Sequence, residues 1–490
     1  MKKLLLFGAL FTGSIFTANA QLSCATAVNI TTNGTQVAPT INGAAASNCF
    51  GDIETDAGAP LAGLWYTYTP TANGNLTISS NLPANTGGDT RLSIFTGTCA
   101  ALTCYNGSDD VASNNFLTTL TIPVQSGTTY YIHWDNFWSS TEFDFTVNFA
   151  ASTCLSPNSL SVNDPTNVTT NSATVSWAAA IGAPASYDVD WGAPGHAAGS
   201  GTIVNTTTTS ANLTGLTTSA NITYFIRANC GGLNQGTWTG PFTLYLAKTL
   251  PYSNNFDVNT NASAFADGTE FIGWGLNQTT GFAQSGNTFI ISNASTTTAS
   301  NAFAILRPVS LLANEQVTLT FFTRSVPATG AFNLNVTVGT APTAAAQTIV
   351  VQSFTGIASG TYVQRTATWT APTAGIYYFA LHNNTGVVPA DATLLVDTVA
   401  MTSVLSTNDF LASQLSVYPN PATNVINVSN ADNILVNGVE IVDLNGRTVK
   451  TAKFDGVTEA QINISDLSAG MYMMTVSSDQ GTLTKKIIKQ

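Results

Sequence analysis

Short runs in which apolar and polar residues alternate recur from one end of the chain to the other. LWYTYTP (64–70), TTYYIHW (128–134), FDFTVNF (143–149), NITYFIRA (221–228), QVTLTFFTR (316–324) and AGIYYFALH (374–382) carry strand periodicity. Asn-Gly pairs at 33–34, 42–43, 73–74, 106–107, 437–438 and 445–446 supply turn residues between such runs. No stretch shows the period of an amphipathic helix. The pattern predicts an all-β chain of tandem β-sandwich modules.

Composition sharpens this picture. Hydrophobic residues make up 44% of the 490 positions, ample for several cores, while charged residues make up only 8%. Globular domains usually carry ~25% charge, and here Thr, Asn, Ser and Gly take the place of the missing ions. The formal charge of −12 argues against nucleic acid or an anionic membrane as partner, since both require basic patches. The cations are unevenly spread. Residues 21–415 hold six (Arg91, Arg227, Lys248, Arg307, Arg324 and Arg365), and the much shorter stretch 416–490 also holds six. At the N-terminus, Lys2-Lys3, the apolar run Leu4–Phe16 and Ala18-Asn19-Ala20 read as a signal peptide over 1–20. No transmembrane segment follows its cleavage.

Proline and cysteine punctuation divides the rest into 22–152, 154–248, 249–403, a linker at 404–415, and 416–490. ATVSW (173–177), YDVDW (187–191), ANLTGL (211–216) and ITYFIRANCG (222–231) resemble strands B, C, E and F of a fibronectin type III domain. That resemblance implies core roles for Trp177 and Tyr224, with the Tyr224 hydroxyl bonded back to the backbone. The third module, with LPYSNNFD (250–257), FIGWG (271–275) and LLVDTVAM (394–401), is similar to jelly-roll domains of the adhesin, MAM-like and carbohydrate-binding type. The first, with WYTYTPTANGNLTISS (65–80) and DTRLSIFTGTCAALTC (89–104), resembles a pre-peptidase C-terminal-like sandwich.

Chemistry-bearing motifs are scarce. His133, His196 and His382 lie in different parts of the chain, and neither H-E-x-x-H nor G-x-S-x-G occurs. His133 in HWDNFW (133–138) reads as structural. Asp52, Glu54 and Asp56 are spaced two apart, and Asp109-Asp110 follows an Asn-Gly turn. Such loops read either as solvated acid or as oxygen ligands for calcium, the one cofactor the sequence brings to mind. Trp134, Trp138 and Trp274 read as core or as platforms for a sugar face. Six cysteines in an exported chain imply three bridges. Placement within modules favours Cys24–Cys49, Cys99–Cys104 and Cys154–Cys230.

The last segment is the most specific. SVYPNPA (416–422), VEIVDLNGRTVK (439–450), INISDLSAGMYMMTV (462–476) and KKIIK (485–489) resemble, in this order, a type A C-terminal sorting domain of the type IX secretion system. Tyr418, Pro419, Asn420, Pro421, Gly446, Gly470, Tyr472, Lys485 and Lys486 carry that resemblance. Pro419 and Pro421 are expected to keep the lead-in extended and unpaired. The resemblance implies passage through the periplasm, contact with the secretion machinery at the outer membrane, and a cell-surface or extracellular destination. The whole reads as a surface binding or adhesion protein without an active site, its ligand a glycan or a protein surface. The alternative is a secreted hydrolase, acting on peptides or polysaccharides, or its accessory subunit.

Overall fold

In a computed structural model, which describes residues 20–47, 49, 62–112, 114–257, 266–279, 281–405, 407–430 and 433–490, the alternating runs form strands throughout. The strands assemble into pairs of sheets that follow one another along the chain. The chain divides into two compact units. One runs up to Asn167 and adds Ser172–Leu216 and Asn221–Leu244; the other holds Val168–Asn171, Thr217–Ala220 and Tyr245–Gln490.

The first sandwich shows why alternation alone undersells these strands. Its larger sheet runs Val28–Ile30, Gly63–Tyr68, Tyr130–Asp135, Arg91–Thr98, Ala101–Ser108, and its smaller sheet is centred on Gly74–Ser79 and Phe143–Ala151. Leu64, Tyr66, Ile94, Ile132 and Trp134 face Leu76, Ile78, Phe145 and Val147 across the core. The opposite face of the larger sheet is buried too. Trp65 lies opposite His133, His133 opposite Ser93, and Asp135 opposite Arg91, and all five of these residues are buried. The N-terminal segment covers them: Trp65 Nε1 donates to the Ala44 carbonyl at 2.7 Å, and the Cys49 amide donates to Ser93 Oγ at 3.1 Å. Gly63 is dictated by this layer, because a Cβ there would stand 2.1 Å from His133 Nε2.

Two disulfides pin that cover, and they overturn the expected local pairing. The bridges are Cys24–Cys99 and Cys49–Cys104, with Cys154–Cys230 as expected. The register gives the reason. Cys104 pairs across the hairpin with Phe95, while Cys99 sits at the turn beyond Thr98. Four residues of strand separate them, about 13 Å, too far for a disulfide. Each instead reaches up to the covering segment.

In the second sandwich Trp177 is buried edge-on to Tyr187 with ring centroids 5.3 Å apart, and Tyr224 packs beside Phe242 at 5.2 Å. The hydroxyl-to-backbone corner expected at Tyr224 is seen at Tyr377, which donates to the Thr373 carbonyl, and at Tyr472, which donates to Ser468, each at 2.8 Å. The third pair of sheets has the most regular alternation: Gln316–Val326 buries every second residue, and Phe321, Phe332 and Trp274 fill its core.

The last pair of sheets departs from expectation at its start. Thr407–Gln414 is an α-helix, not a linker. Leu411 is fully buried in the same cluster as Leu415, Ile426, Ile441, Met474 and Ile487. Only Phe410, Leu411 and Ala412 are apolar in this stretch, too few to show a period. The lead-in is not unpaired either. Asn420 Nδ2 donates to the Lys486 carbonyl and its Oδ1 accepts from the Ile488 amide, both at 2.9 Å, and Ala422 bridges to Lys489. An asparagine side chain thus supplies the strand-like bonds that Pro419 and Pro421 cannot.

Three outcomes follow from this architecture. Peptide mapping without reduction should recover Cys24 joined to Cys99 and Cys49 joined to Cys104. Replacing Cys49 and Cys104 together by Ala should lower the unfolding free energy by up to about 4 kcal/mol, the loop-closure value for this separation. The helix makes a second point. The tail expressed as 405–490 should resist urea better than 415–490 by about 2–5 kcal/mol, the range for losing one buried leucine, here Leu411. Equal urea midpoints would separate the helix from the tail's core.

His133 gives the third. Burial first, and the Arg91 charge second, push its imidazole down to about 3. In the unfolded chain it titrates near 6.5, so between those values the unfolded state binds more protons. Stability from this site is complete above that window and falls as the pH drops through it, by up to about 1.4 kcal/mol per pH unit. Replacing His133 by Phe should flatten the acid limb of the stability profile, measured by urea unfolding across the window.

Candidate functional site

The buried pair on the outer face of the first sandwich orders the loop beyond it. Arg91 Nε donates to both Asp135 oxygens, at 3.1 and 3.0 Å, and Asp135 Oδ1 also accepts the Phe137 amide at 3.0 Å. That bond turns the chain at the strand end, so Phe137 lies under the guanidinium, 4.1 Å from carbon to ring centroid. Trp138 stands perpendicular to Phe137, with ring centroids 4.6 Å apart. Its indole N–H donates to Asp109 Oδ2 at 3.1 Å. The ring is therefore braced on two sides and still 50% exposed.

Around it the surface is acidic. Carboxylate oxygens of Asp89, Asp109 and Asp110 lie within 4.8 Å of one another. The loop that carries Asp109 also presents Val111 and Phe116 to solvent. Three carboxylate oxygens amount to about half of the six to eight that calcium takes. Asp110, the exposed one of the three, is also an acceptor open to hydroxyls. The arrangement is a rigid aromatic face with hydrogen-bond acceptors at its edge.

Of the three tryptophans read as sugar platforms, only Trp138 is open. Trp134 and Trp274 are fully buried, the first against Phe143 and Phe145, the second in the third core. Asp52, Glu54 and Asp56 lie outside the described residues. Phe137, Arg91 and Asp89 were not singled out in the sequence. The available signal was Arg91 itself, a lone cation opening an otherwise uncharged strand.

The histidines stay apart. His133 is buried with its ring 4.4 Å from that of Trp65, and neither ring nitrogen has a hydrogen-bond partner. His196 Nε2 pairs with Asp190 at 3.1 Å, where Asp190 also accepts the Gly199 and Gly201 amides. His382 stacks face to face on Phe303, and burial lowers its pKa.

The tail residues take up structural positions. Gly446, at φ +79°, closes the turn in which Asp443 accepts the amides of Asn445 and Arg447 at 3.0 Å each. Gly470 faces Lys489 across the last hairpin, and Lys485 Nζ donates to the Leu415 carbonyl at 2.9 Å. Tyr418, Pro419 and Pro421 are exposed. Among the described residues no helix is long and apolar enough to cross a membrane.

Comparison with known proteins adds one firm match. No curated protein matches the chain. Among solved structures, the K1 cleaved adhesin domain of Lys-gingipain from Porphyromonas gingivalis W83 is similar at 18% identity and TM-score 0.25, covering 31% of this chain and 98% of that one. The N-terminal cellulose-binding domain of Cellulomonas fimi β-1,4-glucanase C is similar at 18% identity and TM-score 0.20, covering 27% and 90%. The FN1–FN3 domains of chicken CNTN1 are similar at 10% identity and TM-score 0.15, covering 67% and 97%. Scores this low assign no function to any part of the chain. Residues 416–490 match the secretion system C-terminal sorting domain, and the protein is thus cargo of the type IX secretion system, exported to the cell surface or the extracellular space.

Proposed function

We propose that this exported protein is a non-catalytic glycan-binding adhesin, and that the first sandwich holds its ligand through Trp138. The observation that supports this reading is the bracing of Trp138. A half-exposed indole held by Phe137 and Asp109 offers a flat apolar face at little entropic cost on binding. Asp110, the exposed member of the neighbouring carboxylate cluster, can accept hydrogen bonds from hydroxyls, so the ligand has an apolar face and a hydroxyl-bearing edge. A pyranose ring has both. The carboxylates disfavour acidic glycans by like charge, which narrows the class to neutral or cationic sugars.

The histidines give no support to the hydrolase alternative, because each is engaged in packing or in a local bond.

A glycan array probed with the secreted protein should show binding to neutral glycans. Trp138→Ala should weaken that binding about thirtyfold, the scale of an interface tryptophan. The same variant should leave the melting temperature nearly unchanged, since the ring is half in solvent. Full binding by the variant would move the ligand elsewhere, and peptide or polysaccharide cleavage by the secreted protein would favour the hydrolase.

A further inference from the structure

A second concavity lies in the same compact unit, where the first sandwich meets the fibronectin-like one. It encloses about 430 Å³, within the range of small-ligand sites. Asn106, buried, fixes its geometry by donating to Asn158 Oδ1 at 2.6 Å and Ser159 Oγ at 2.9 Å. Asn158 in turn donates to the Tyr105 carbonyl at 2.6 Å. These bonds tie the hairpin of one sandwich to the opening of the next, so the cleft is part of the fold.

Its lining carries no charge. No Asp, Glu, Lys, Arg or His borders it, and the cysteine that does, Cys104, is bridged. A charged ligand would lose its hydration with nothing to replace it. Apolar surface comes from Tyr105, Leu160 and Ile181, and Leu160 is 44% exposed at the rim. Tyr105 is held at a fixed angle, its hydroxyl donating to the Pro123 carbonyl at 2.5 Å and its ring edge-on to Tyr130 at 5.1 Å. Thr96, Gln125 and Thr128 also line the cleft and add hydroxyl and amide groups. An uncharged wall with two tyrosine rings, Tyr105 and Tyr130, and several neutral donor–acceptor groups matches a small neutral saccharide.

We infer that this cleft is a second binding site, separate from Trp138, which takes one or two uncharged sugar units beside Tyr105. A chain holding two such sites engages a branched or repeated glycan at two points, and the linked second contact raises avidity without new affinity at either site.

Saturation-transfer difference NMR on the full secreted protein, with cellobiose, maltose, lactose and mannobiose as probes, tests the inference. At least one should bind with transfer from tyrosine protons, and a uronic-acid disaccharide should not. Ala179→Trp, which fills the cleft from an exposed position, should weaken that binding tenfold or more. Gln125→Ala, also at an exposed position, should weaken it several-fold and serves if the first variant does not fold. Each measurement is repeated in the Trp138→Ala background, where no binding at Trp138 enters the signal, so that failure here and failure at Trp138 are told apart. Binding by none of the four probes, equal binding of the acidic disaccharide, or undiminished binding by both cleft variants overturns the inference. Displacement of the probes by a neutral Ser/Thr-rich peptide that binds more tightly overturns it in favour of a peptide groove.

Discussion

The Arg91–Asp135 pair is the interaction on which the first sandwich turns. Both side chains are almost wholly out of water, and desolvating two such ions costs several kcal/mol each. Three features of the geometry offset the cost. The residues sit directly opposite on adjacent strands, the guanidinium meets both carboxylate oxygens, and the Phe137 ring covers the cation. Burial keeps His133 neutral and the Arg91 charge adds to it, which lets an imidazole without polar partners lie against Trp65. Removing one ion would strand the other, a loss of about 3–5 kcal/mol. It would also release the turn that holds Phe137, and with it the brace under Trp138. The covering segment, pinned by two disulfides, shields the neighbouring Trp65 and Ser93 of the same layer.

The sequence carried the strands and the modules legibly, because a period of two survives any change of context. Gln316–Val326 follows its pattern residue by residue. What it did not carry was anything set by a second layer. Cys24 and Cys49 look like a local pair until the covering segment is seen to run past a hairpin whose tip and strand each hold one partner. Trp134 and Trp138 stand four residues apart in one aromatic run, yet one is core and the other is surface. The difference lies in where the strand ends, at Asp135. The helix Thr407–Gln414 was hidden for another reason. A short helix with a single buried leucine has no period to read, and its stability comes from the tail it packs on.

The scarcity of charge has a structural counterpart. Each of the five arginines between residues 21 and 415 lies over an aromatic ring: Arg91 on Phe137, Arg227 on Trp238, Arg307 on Tyr245, Arg324 on Phe282 and Arg365 on Phe354. Such cations are committed to the fold and form no basic patch. Hydroxyl pairs across neighbouring strands replace surface ion pairs, as at Thr77–Thr121, Ser79–Thr119 and Thr69–Thr129. Neutral pairs of this kind are not screened by salt, unlike exposed ion pairs.

The tail is built on the other principle. Lys450 reaches Asp466 and Arg447 reaches Asp443 on exposed surface, and Lys485, Lys486 and Lys489 share one strand. Its core is closed by the helix before it and by the Asn420 clamp onto that same lysine-bearing strand. The clamp explains why two prolines flank one asparagine. The prolines lack backbone donors, so at this point the Asn420 side chain makes the bonds to the last strand, and the Ala422 backbone, just past the second proline, takes over from it. Exposed Tyr418, Pro419 and Pro421 are thereby fixed beside the lysine strand on the tail's surface. An address read by other proteins must present the same shape whatever cargo precedes it, and a side-chain clamp internal to the tail meets that requirement.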